Sequence, residues 1–424
     1  MREMKDSGVE WIGSVPTSWN IMTVGSLLKV RNEIVNDTDY PPLSVTKDGI
    51  VPQMKNVAKS DATDNRKMVL ANDFVINSRS DRKQSCGVSP FDGSVSLINI
   101  VLYPTERAPV VSAYLNYLMK NNSFAEEFYR HGHGIVADLW TTRWQEMKSI
   151  LLPVPPMEEQ QRILETVSTR TKKVDALIAN QQTQIEKLKA YKQSLITEVV
   201  TKGLDPDVPM KDSGVEWIGM IPNKWRISRI GLHYSIVLGK MLCPRQTDST
   251  YTLEKYFCAA NVHFGEICTD ELKEMWFSPT EKRQYHIETG DMLIVEGGAG
   301  AGGCAIVQSS TSALAQNSIM IVRNLRSTDN RYLCYFIESL VKRGYIDVIC
   351  NKATIPHFTK EKLSKTQFPV CSQEDQILIS DYLDKKCSKI DRLISLKQTR
   401  IEKLEQYKKS LIFEYVTGKK EANN

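Results

Sequence analysis

The chain repeats its own beginning. Residues 4–13 read MKDSGVEWIG, and residues 210–219 repeat them letter for letter, 206 positions later in a chain of 424 residues. A period of roughly 20–50 residues would indicate a solenoid of stacked motifs, whereas a period near half the chain indicates a duplicated domain. The fold is therefore constrained to two copies of one architecture.

The two copies also end alike. Residues 185–196 read IEKLKAYKQSLI and residues 401–412 read IEKLEQYKKSLI, whereas the middles of the two halves differ. Fixed ends with a changed middle indicate one scaffold that carries two different recognition surfaces.

Each copy reads as a mixed domain followed by a long helix, which predicts an α+β fold. Strand-like runs at Tyr40–Thr46, Met68–Asn77 and Ser94–Tyr103 are rich in β-branched and apolar residues and are separated by turn signals. Helices are predicted over Val110–Tyr129 and Tyr332–Arg343. The predicted boundaries are a first domain at 1–156, a helix at 157–203, a linker at 203–209 opening a second domain at 204–370, a helix at 371–418 and a flexible tail at 419–424.

The two long helices carry a narrow apolar stripe with steps of seven, split into three and four. Such a stripe fits a seam between two helices, and the partner predicted for each helix is the other copy. The alternative is that each helix lies on its own domain. The predicted seam residues are Ile178, Ile185, Leu188, Leu195, Val199, Ile394, Ile401, Leu404, Leu411 and Tyr415.

The length of the two long helices suggests that they act as a spacer between the two domains. About 45 residues at 1.5 Å each span roughly 65–70 Å, close to two turns of B-DNA at roughly 34–36 Å per turn. Two different heads on such a ruler match a DNA site with two different halves and a non-specific spacer.

Charge and cysteine content set limits on partners and compartment. The net charge of +5 permits nucleic acid as a partner without demanding it. The nine cysteines lack paired spacing, which indicates free thiols in a reducing compartment. No signal-peptide or membrane-spanning run is present in the sequence, so we expect a cytoplasmic protein.

Several motifs could suggest catalysis or metal binding, and each has a plainer interpretation. The glycine run at 297–303 lacks the Lys-Ser/Thr of a phosphate-binding loop, so it is either a flexible loop that approaches DNA or an ordinary tight turn. Asp39-Tyr40-Pro41-Pro42 matches an adenine methyltransferase motif only in scrambled order. His131 and His133 could be two metal ligands, but no Cys or carboxylate completes a recognisable metal-binding motif with them.

Taken together, the shared segments resemble a known family. SGVEWIGxxPxxW at the start of each half, PVPPxEEQ before the first long helix and EKLxxYKxSLI near the end of each helix resemble the specificity subunit of type I restriction-modification systems. The resemblance covers essentially the whole chain, and the second half departs mildly, with FPVCSQEDQ in place of the fuller proline motif.

The resemblance implies a non-catalytic DNA-recognition subunit. Each mixed domain would be a target recognition domain for one half-site of double-stranded DNA, and the helices would pair as an antiparallel coiled coil. Two methyltransferase subunits using S-adenosylmethionine, and restriction subunits using ATP and Mg, would bind this chain, which itself would bind no cofactor or metal. The alternative from the residues alone is a structural adaptor with two protein-binding heads on a coiled-coil strut.

Polar residues that could contact DNA are chosen by type and by their place in predicted loops. For each one, the alternative is a solvated surface charge. In the first half they are Lys47, Arg79, Ser80, Arg82, Lys83, Gln84, Arg130, His131, His133, Thr142 and Arg143. In the second half they are Lys240, Arg245, Gln246, Asn261, His263, Lys352 and His357.

Overall fold

The computed structural model describes residues 2–53, 65–106, 108–134, 140–325, 327–350 and 356–422. The chain divides into two compact units. The first unit comprises Met1–Gln182 and Gln398–Asn424, and the second comprises Thr183–Lys397. Both divisions fall inside long helices, so each unit contains a part of each helix.

The chain before the first long helix contains many short strands and a few short helices. The strands are β1 (Met4–Asp6), β2 (Ser14–Pro16), β3 (Asn20–Thr23), β4 (Leu28–Val30), β5 (Ile34–Val35), β6 (Leu43–Thr46), β7 (Gly49–Pro52), β8 (Arg66–Val69), β9 (Phe74–Asn77), β10 (Cys86–Val88), β11 (Gly93–Ser96), β12 (Asn99–Pro104) and β13 (Leu151–Val154). The helices are α1 (Val24–Leu27), α2 (Ser112–Met119), α3 (Asn122–Arg130), α4 (Trp144–Met147) and the long α5 (Met157–Lys202).

The rest of the chain follows the same plan. Its strands are β14 (Met210–Asp212), β15 (Met220–Pro222), β16 (Arg226–Arg229), β17 (Tyr234–Leu238), β18 (Thr252–Phe257), β19 (Val262–His263), β20 (Glu266–Ile267), β21 (Lys273–Phe277), β22 (Met292–Val295), β23 (Cys304–Ile306), β24 (Leu314–Ala315), β25 (Ile319–Asn324) and β26 (Gln367–Val370). Its helices are α6 (Pro279–Gln284), α7 (Asn330–Lys342), α8 (Tyr345–Ile349), α9 (Lys360–Lys365) and the long α10 (Gln373–Val416).

Each unit is built on one antiparallel four-stranded sheet. The strand order is β10-β9-β12-β4 in the first unit and β23-β22-β25-β17 in the second, which is the same arrangement. The central strands β9 and β22 are apolar and buried almost throughout, because both of their faces are covered. The duplication seen in the sequence is therefore a duplication of the sheet.

One ion pair shows how the two sheets keep a shared position with different residues. Asp73 and Asp291 each precede the central strand, at the edge of the buried core. In the first unit Arg31 reaches Asp73, with Nε to Oδ2 at 2.7 Å, while stacking on Tyr103. In the second unit Arg323 binds Asp291 at 2.8 Å. Strand pairing places Arg323 where the first sheet has Tyr103, so the two units share the aspartate but not its cation.

The long helices pack against each other within each unit. In the first unit Ile163 and Val167 of α5 share a core cluster with Leu411 and Tyr415 of α10. Lys408 pairs with Asp175 at 2.6 Å, so the two helix segments run in opposite directions. In the second unit Lys192 pairs with Asp391 at 2.7 Å.

The predicted seam residues lie on the inner side of these helices. All ten are buried or half-buried, whereas Leu177 and Tyr191 beside them are 45% and 55% exposed. Gln181 interrupts the apolar stripe and is itself buried. The apolar stripe therefore marks the helix face that is withdrawn from solvent.

The structure corrects several predicted elements. The run Met68–Asn77 is two strands, because Asn72 takes a left-handed φ of 73° in a turn closed by Asp73, which accepts from the Leu70 N–H. The run Ser94–Tyr103 is likewise β11 and β12, and Tyr40–Thr46 is strand only from Leu43. The single helix predicted over Val110–Tyr129 is α2 and α3, because Asn121 caps a new helix through the Phe124 N–H at 2.8 Å.

The predicted flexible tail at 419–424 is also corrected for the part that the structure describes. Ala422 is 6% exposed and belongs to the core cluster of the first unit. Lys419 donates to the Ile12 carbonyl, and the Lys420 N–H donates to the Glu414 carbonyl at 3.0 Å. Ala422 is therefore packed in the core of the first unit, and hydrogen bonds hold Lys419 and Lys420 although both remain exposed.

Candidate nucleic-acid interface

Three predicted DNA-contacting segments of the first unit meet at one place. Backbone bridges join Arg79 to Thr141, and Thr141 to His133. The His133 and Thr141 N–H groups each donate to the other's carbonyl at 3.1 Å, and the Thr142 N–H donates to the Ser78 carbonyl at 3.0 Å. The segments around 79, 133 and 142 are therefore one loop cluster, although up to about sixty residues separate them in sequence.

Among the described residues, the predicted side chains of this loop cluster that are exposed and have no close carboxylate partner are Arg79, Arg82, His133 and Arg143. Arg82 is 67% exposed and has one carboxylate, Asp81, at 3.6 Å. Exposed guanidinium and imidazole groups on loops are the types that contact phosphates and base edges. The cluster therefore presents donors without first having to break strong internal contacts.

Other predicted residues of the loop cluster are held by carboxylates. Lys83 pairs with Glu126 at 3.0 Å. Arg130 pairs with Glu127 at 2.9 Å and with Glu10 at 3.1 Å, and His131 lies 3.1 Å from Glu127. The charge of Glu127 raises the pKa of Arg130 above its ordinary value. These side chains already have carboxylate partners, so they are less available to DNA than Arg79 or Arg82.

Gln84 is held in an unusual backbone conformation. Its φ is 64°, in the left-handed region that costs a residue with a Cβ about 1–2 kcal/mol. Its side chain donates from Nε2 to Asn122 Oδ1 at 3.1 Å, which ties the loop to the start of α3. Strain of this kind is concentrated at functional loops.

Thr142 does not face solvent. It is fully buried, and its hydroxyl donates to the Phe128 carbonyl at 2.8 Å. Its role is to fix the loop cluster to α3, so the prediction that it contacts DNA is wrong.

The second unit has a matching loop pair with different residues. A backbone bridge joins Gly297 to His357, and the Gly298 N–H donates to the Pro356 carbonyl at 3.1 Å. A Cβ on Gly297 would lie 2.6 Å from His357 Nδ1, so this close approach requires glycine. His357 is exposed here, at the place where the first unit has Thr141.

The glycine run at 297–303 is a packed turn rather than a flexible loop. Ala301, Gly302 and Gly303 are buried. Gly302 has a φ of 81°, and a Cβ on it would lie 2.5 Å from Ile346 Cδ1. Of the two interpretations of this run, the ordinary tight turn describes it.

Two residues predicted to contact DNA in the second unit are buried. Lys240 is 8% exposed, binds the Glu281 carboxylate and lies over the rings of Tyr251 and Phe277. Asn261 is 7% exposed, and its Oδ1 accepts from the Cys258 N–H at 3.0 Å. Both side chains stabilise the fold, so neither is available to DNA.

The remaining residues predicted to contact DNA are either exposed or outside the described part of the chain. Lys47 in the first unit is exposed, as are Arg245, Gln246 and His263 in the second. Gln246 also donates to the Tyr251 carbonyl at 3.3 Å. The side chain of Ser80 and all of Lys352 lie outside the described residues.

Sequence reasoning missed a groove of about 480 Å³ on the second unit, lined by Thr250, Thr252, Pro279, Lys282, Arg283 and His286. Lys282 pairs with Glu254 at 2.5 Å and His286 with Glu288 at 2.7 Å. The groove borders α6, whose start is fixed by a capping box between Ser278 and Glu281. The sequence SPTE at 278–281 carries that signal, and it would have placed Lys282 and Arg283 on one short helix.

The described residues offer neither a metal cluster nor a membrane span. Within the described ranges, no group of three His, Cys, Asp or Glu side chains could bind a metal ion. Neither long helix, nor any other helix in those ranges, has the apolar length that crossing a bilayer requires. All nine cysteines are free thiols.

Comparison with known proteins places the chain among related sequences. Residues 277–406 match the family model described as the type I restriction modification DNA specificity domain. The putative type I restriction enzyme MjaX specificity subunit of Methanocaldococcus jannaschii is 23% identical over 96% of this chain and 95% of its own length. The type I restriction enzyme MjaVIII specificity subunit of the same organism is 22% identical over 97% and 95%.

Solved structures share the fold. A chain from the work described as the structural basis underlying complex assembly and conformational transition of the type I R-M system superposes with a TM-score of 0.71. It is 17% identical, and the match covers 95% of this chain and 98% of that one. The HsdS subunit from Thermoanaerobacter tengcongensis matches with a TM-score of 0.54 at 17% identity, over 97% and 99% of the two chains.

Proposed function

We propose that the chain, which is similar to specificity subunits of type I restriction-modification systems, recognises a bipartite DNA target, with one half-site read by each unit. The chain itself catalyses no reaction. It directs adenine-N6 methylation and ATP-dependent cleavage by partner subunits, which bind the S-adenosylmethionine, ATP and Mg that these reactions use.

One observation carries this proposal. The same four-stranded sheet occurs in both units, yet the exposed polar residues on its loops differ. The first unit presents Arg79 and Arg82 beside His133, whereas the second presents His357 beside a glycine turn. Direct readout depends on which donors and acceptors meet the base edges, so different side chains on one scaffold would read different half-sites.

The long helices support a proposal about the spacer. Helices α5 and α10 have 46 and 44 residues, which corresponds to about 66–69 Å each at 1.5 Å per residue. Within each unit they run antiparallel with a buried seam. We propose that they form one coiled coil whose length sets the number of base pairs between the half-sites.

Exposed apolar side chains support two copies of one partner. Leu177 and Leu393, 45% and 47% exposed, occupy equivalent positions 216 residues apart. Tyr191 and Tyr407, 55% and 50% exposed, form a second equivalent pair. The recurrence of the same exposed apolar side chains at equivalent helix positions fits two methyltransferase subunits bound in the same way, with restriction subunits joining the complex.

The decisive experiment is to co-express this chain with the methyltransferase subunit of its own system and to map adenine methylation across the host genome. We expect methylation at one motif made of two short half-sites with a constant gap. A soluble complex without motif-specific methylation would contradict the proposal and favour a structural adaptor with two protein-binding heads.

A variant connects the loop cluster to one half-site. Arg79→Ala with Arg82→Ala should weaken binding by about 1–3 kcal/mol for each base-reading side chain removed, and it should relax specificity in a single half-site. Arg162→Ala is the matched control, because Arg162 is an exposed arginine on α5 outside the loop cluster. Unchanged specificity in the double variant would exclude the loop cluster from base reading.

A further inference from the structure

A groove of about 490 Å³ in the first unit is lined by four lysines and by no carboxylate. Lys47 comes from the β6–β7 turn and Lys120 from the end of α2, while Lys408 and Lys409 come from α10. Gln84 and the first residues of α3 also line it, and Tyr117, Ile412 and Phe413 form an apolar floor. We call this site the lysine groove.

Most of this charge has no internal partner. Lys408 pairs with Asp175 at 2.6 Å. Among the described residues, the other three lysines have no carboxylate within the 4.0 Å of an ion pair. Like charges that converge without counter-charges oppose folding, so the arrangement is relieved when an anion binds.

The second unit provides an internal comparison. Tyr114 and Tyr332 occupy the same place in the two units, and the same spacing of 218 puts Glu338 where the first unit has Lys120. At the helix spacing of 216, Gln193 takes the place of Lys409, and Lys192 takes the place of Lys408. The equivalent site of the second unit therefore has fewer cations and one added carboxylate, so the excess charge is specific to the first unit.

We propose that the lysine groove binds the phosphodiester backbone of DNA beside the bases that the first unit reads. This inference rests on the proposed function and adds α10 to the DNA-binding surface. Gln84 lines the groove and also belongs to the loop cluster, so the two surfaces are continuous. Lysines act on phosphates as point charges and release counterions, which contributes affinity without sequence preference.

The test uses the complex of the full chain with its methyltransferase subunit. The variant Lys120→Gln with Lys409→Gln removes two unpaired cations, and the Kd for target DNA is measured at several salt concentrations. Each phosphate contact adds about 0.9 to the slope of log K against log salt. We therefore expect the slope to become shallower by about 2, with the methylated motif unchanged.

Lys403→Gln is the matched control, because Lys403 is exposed on α10 and does not line the groove. It should leave the slope as in the unmodified complex. If the double variant folds poorly, the single variant Lys409→Gln replaces it in the test, because it changes only one exposed residue. The slope of log K against log salt should then become shallower by about 1.

Two results would overturn the inference. An unchanged salt slope in folded variants would show that no phosphate binds there. Loss of the methyltransferase from a folded variant, with DNA binding otherwise intact, would show that the groove holds an acidic segment of the partner instead. Failure of the proposed function is distinguishable, because the unmodified complex would then methylate no specific motif.

Discussion

The hydroxyl of Tyr114 donates a hydrogen bond of 2.8 Å to the carbonyl of Val416, 302 residues further along the chain. Tyr114 is fully buried, and the Pro153 carbonyl lies 3.1 Å from the same hydroxyl, so the two carbonyls share its one proton. Burial raises its pKa well above the ordinary value, so it remains a donor. Each half of the chain thus stabilises the end of the helix that belongs to the other half, because Tyr332 bonds Val200 at 2.9 Å in the same way.

Removing this hydroxyl should weaken the first unit. Tyr114→Phe leaves the last-turn carbonyl of α10 without its buried donor, and an unsatisfied buried group costs about 1–3 kcal/mol. We expect a decrease of that size in the free energy of unfolding, measured by urea titration. Tyr191→Phe, on an exposed tyrosine of α5, should change stability little. Equal effects of the two substitutions would contradict the role given to Tyr114.

Gly418 closes the end of α10 against the start of the chain. Its φ is 75°, and a Cβ there would lie 2.4 Å from Pro16 Cδ and 3.1 Å from the Trp19 ring. Gly418→Ala should therefore cost more than the roughly 1–2 kcal/mol of a left-handed alanine. Gly8→Ala is the control, since Gly8 has a φ of 69° but no atom within 4 Å of a built Cβ. Thermal unfolding of both variants separates the steric cost from the backbone cost, and equal destabilisation would exclude the steric clash.

Glu338 should make the second unit less stable as pH rises. Burial raises its pKa above the ordinary value, and Asp391 adds to the rise while Lys192 and Lys342 oppose it. A carboxyl with a raised folded pKa binds its proton more tightly in the folded state, so stability falls as pH rises from the unfolded pKa to the folded one.

Glu338→Gln should remove this dependence. We expect the variant to be more stable than the unmodified protein at neutral pH and equal to it near pH 4, about where the unfolded glutamate titrates. Urea titrations at several pH values measure the difference. A variant whose stability follows the same pH curve as the unmodified protein would show that Glu338 does not contribute to it.

Helix length should control the spacer of the methylated motif. Deleting seven residues from the middle of both α5 and α10 keeps the seven-residue repeat and shortens the pair by about 10 Å, or about three base pairs. Methylation mapping should then show a spacer shorter by about three. Deleting four residues from one helix breaks the repeat and should shift the spacer or abolish activity. An unchanged spacer in either variant would refute the proposed ruler.

The duplication, the α+β class and the helix face that is withdrawn from solvent followed from the sequence because they depend on regular spacing. A repeat of 206 residues is visible without coordinates, and a seven-residue period identifies the inner face of a helix. Short strands were harder to delimit, because a one-residue turn such as Asn72 divides a continuous apolar run.

The sequence was less able to separate DNA-contacting residues from structural ones. Lys240 and Arg82 are both polar loop residues, yet Lys240 is buried against Glu281 and Arg82 is 67% exposed. Nothing local distinguishes them, because a side chain's access to solvent depends on what folds over it from distant parts of the chain.

The sequence by itself determined that this protein has two related halves, two long helices and segments that resemble those of type I specificity subunits. Only the tertiary structure decided that Arg79, His133 and Thr141 form one loop cluster, that Lys409 of α10 joins Lys47 and Lys120, and that the tail packs on the first residues. The physical reason is the sequence separation of the residues that interact. Periodicity records interactions between neighbours along an element, whereas these sites are assembled by hydrogen bonds and burial between residues up to hundreds of positions apart.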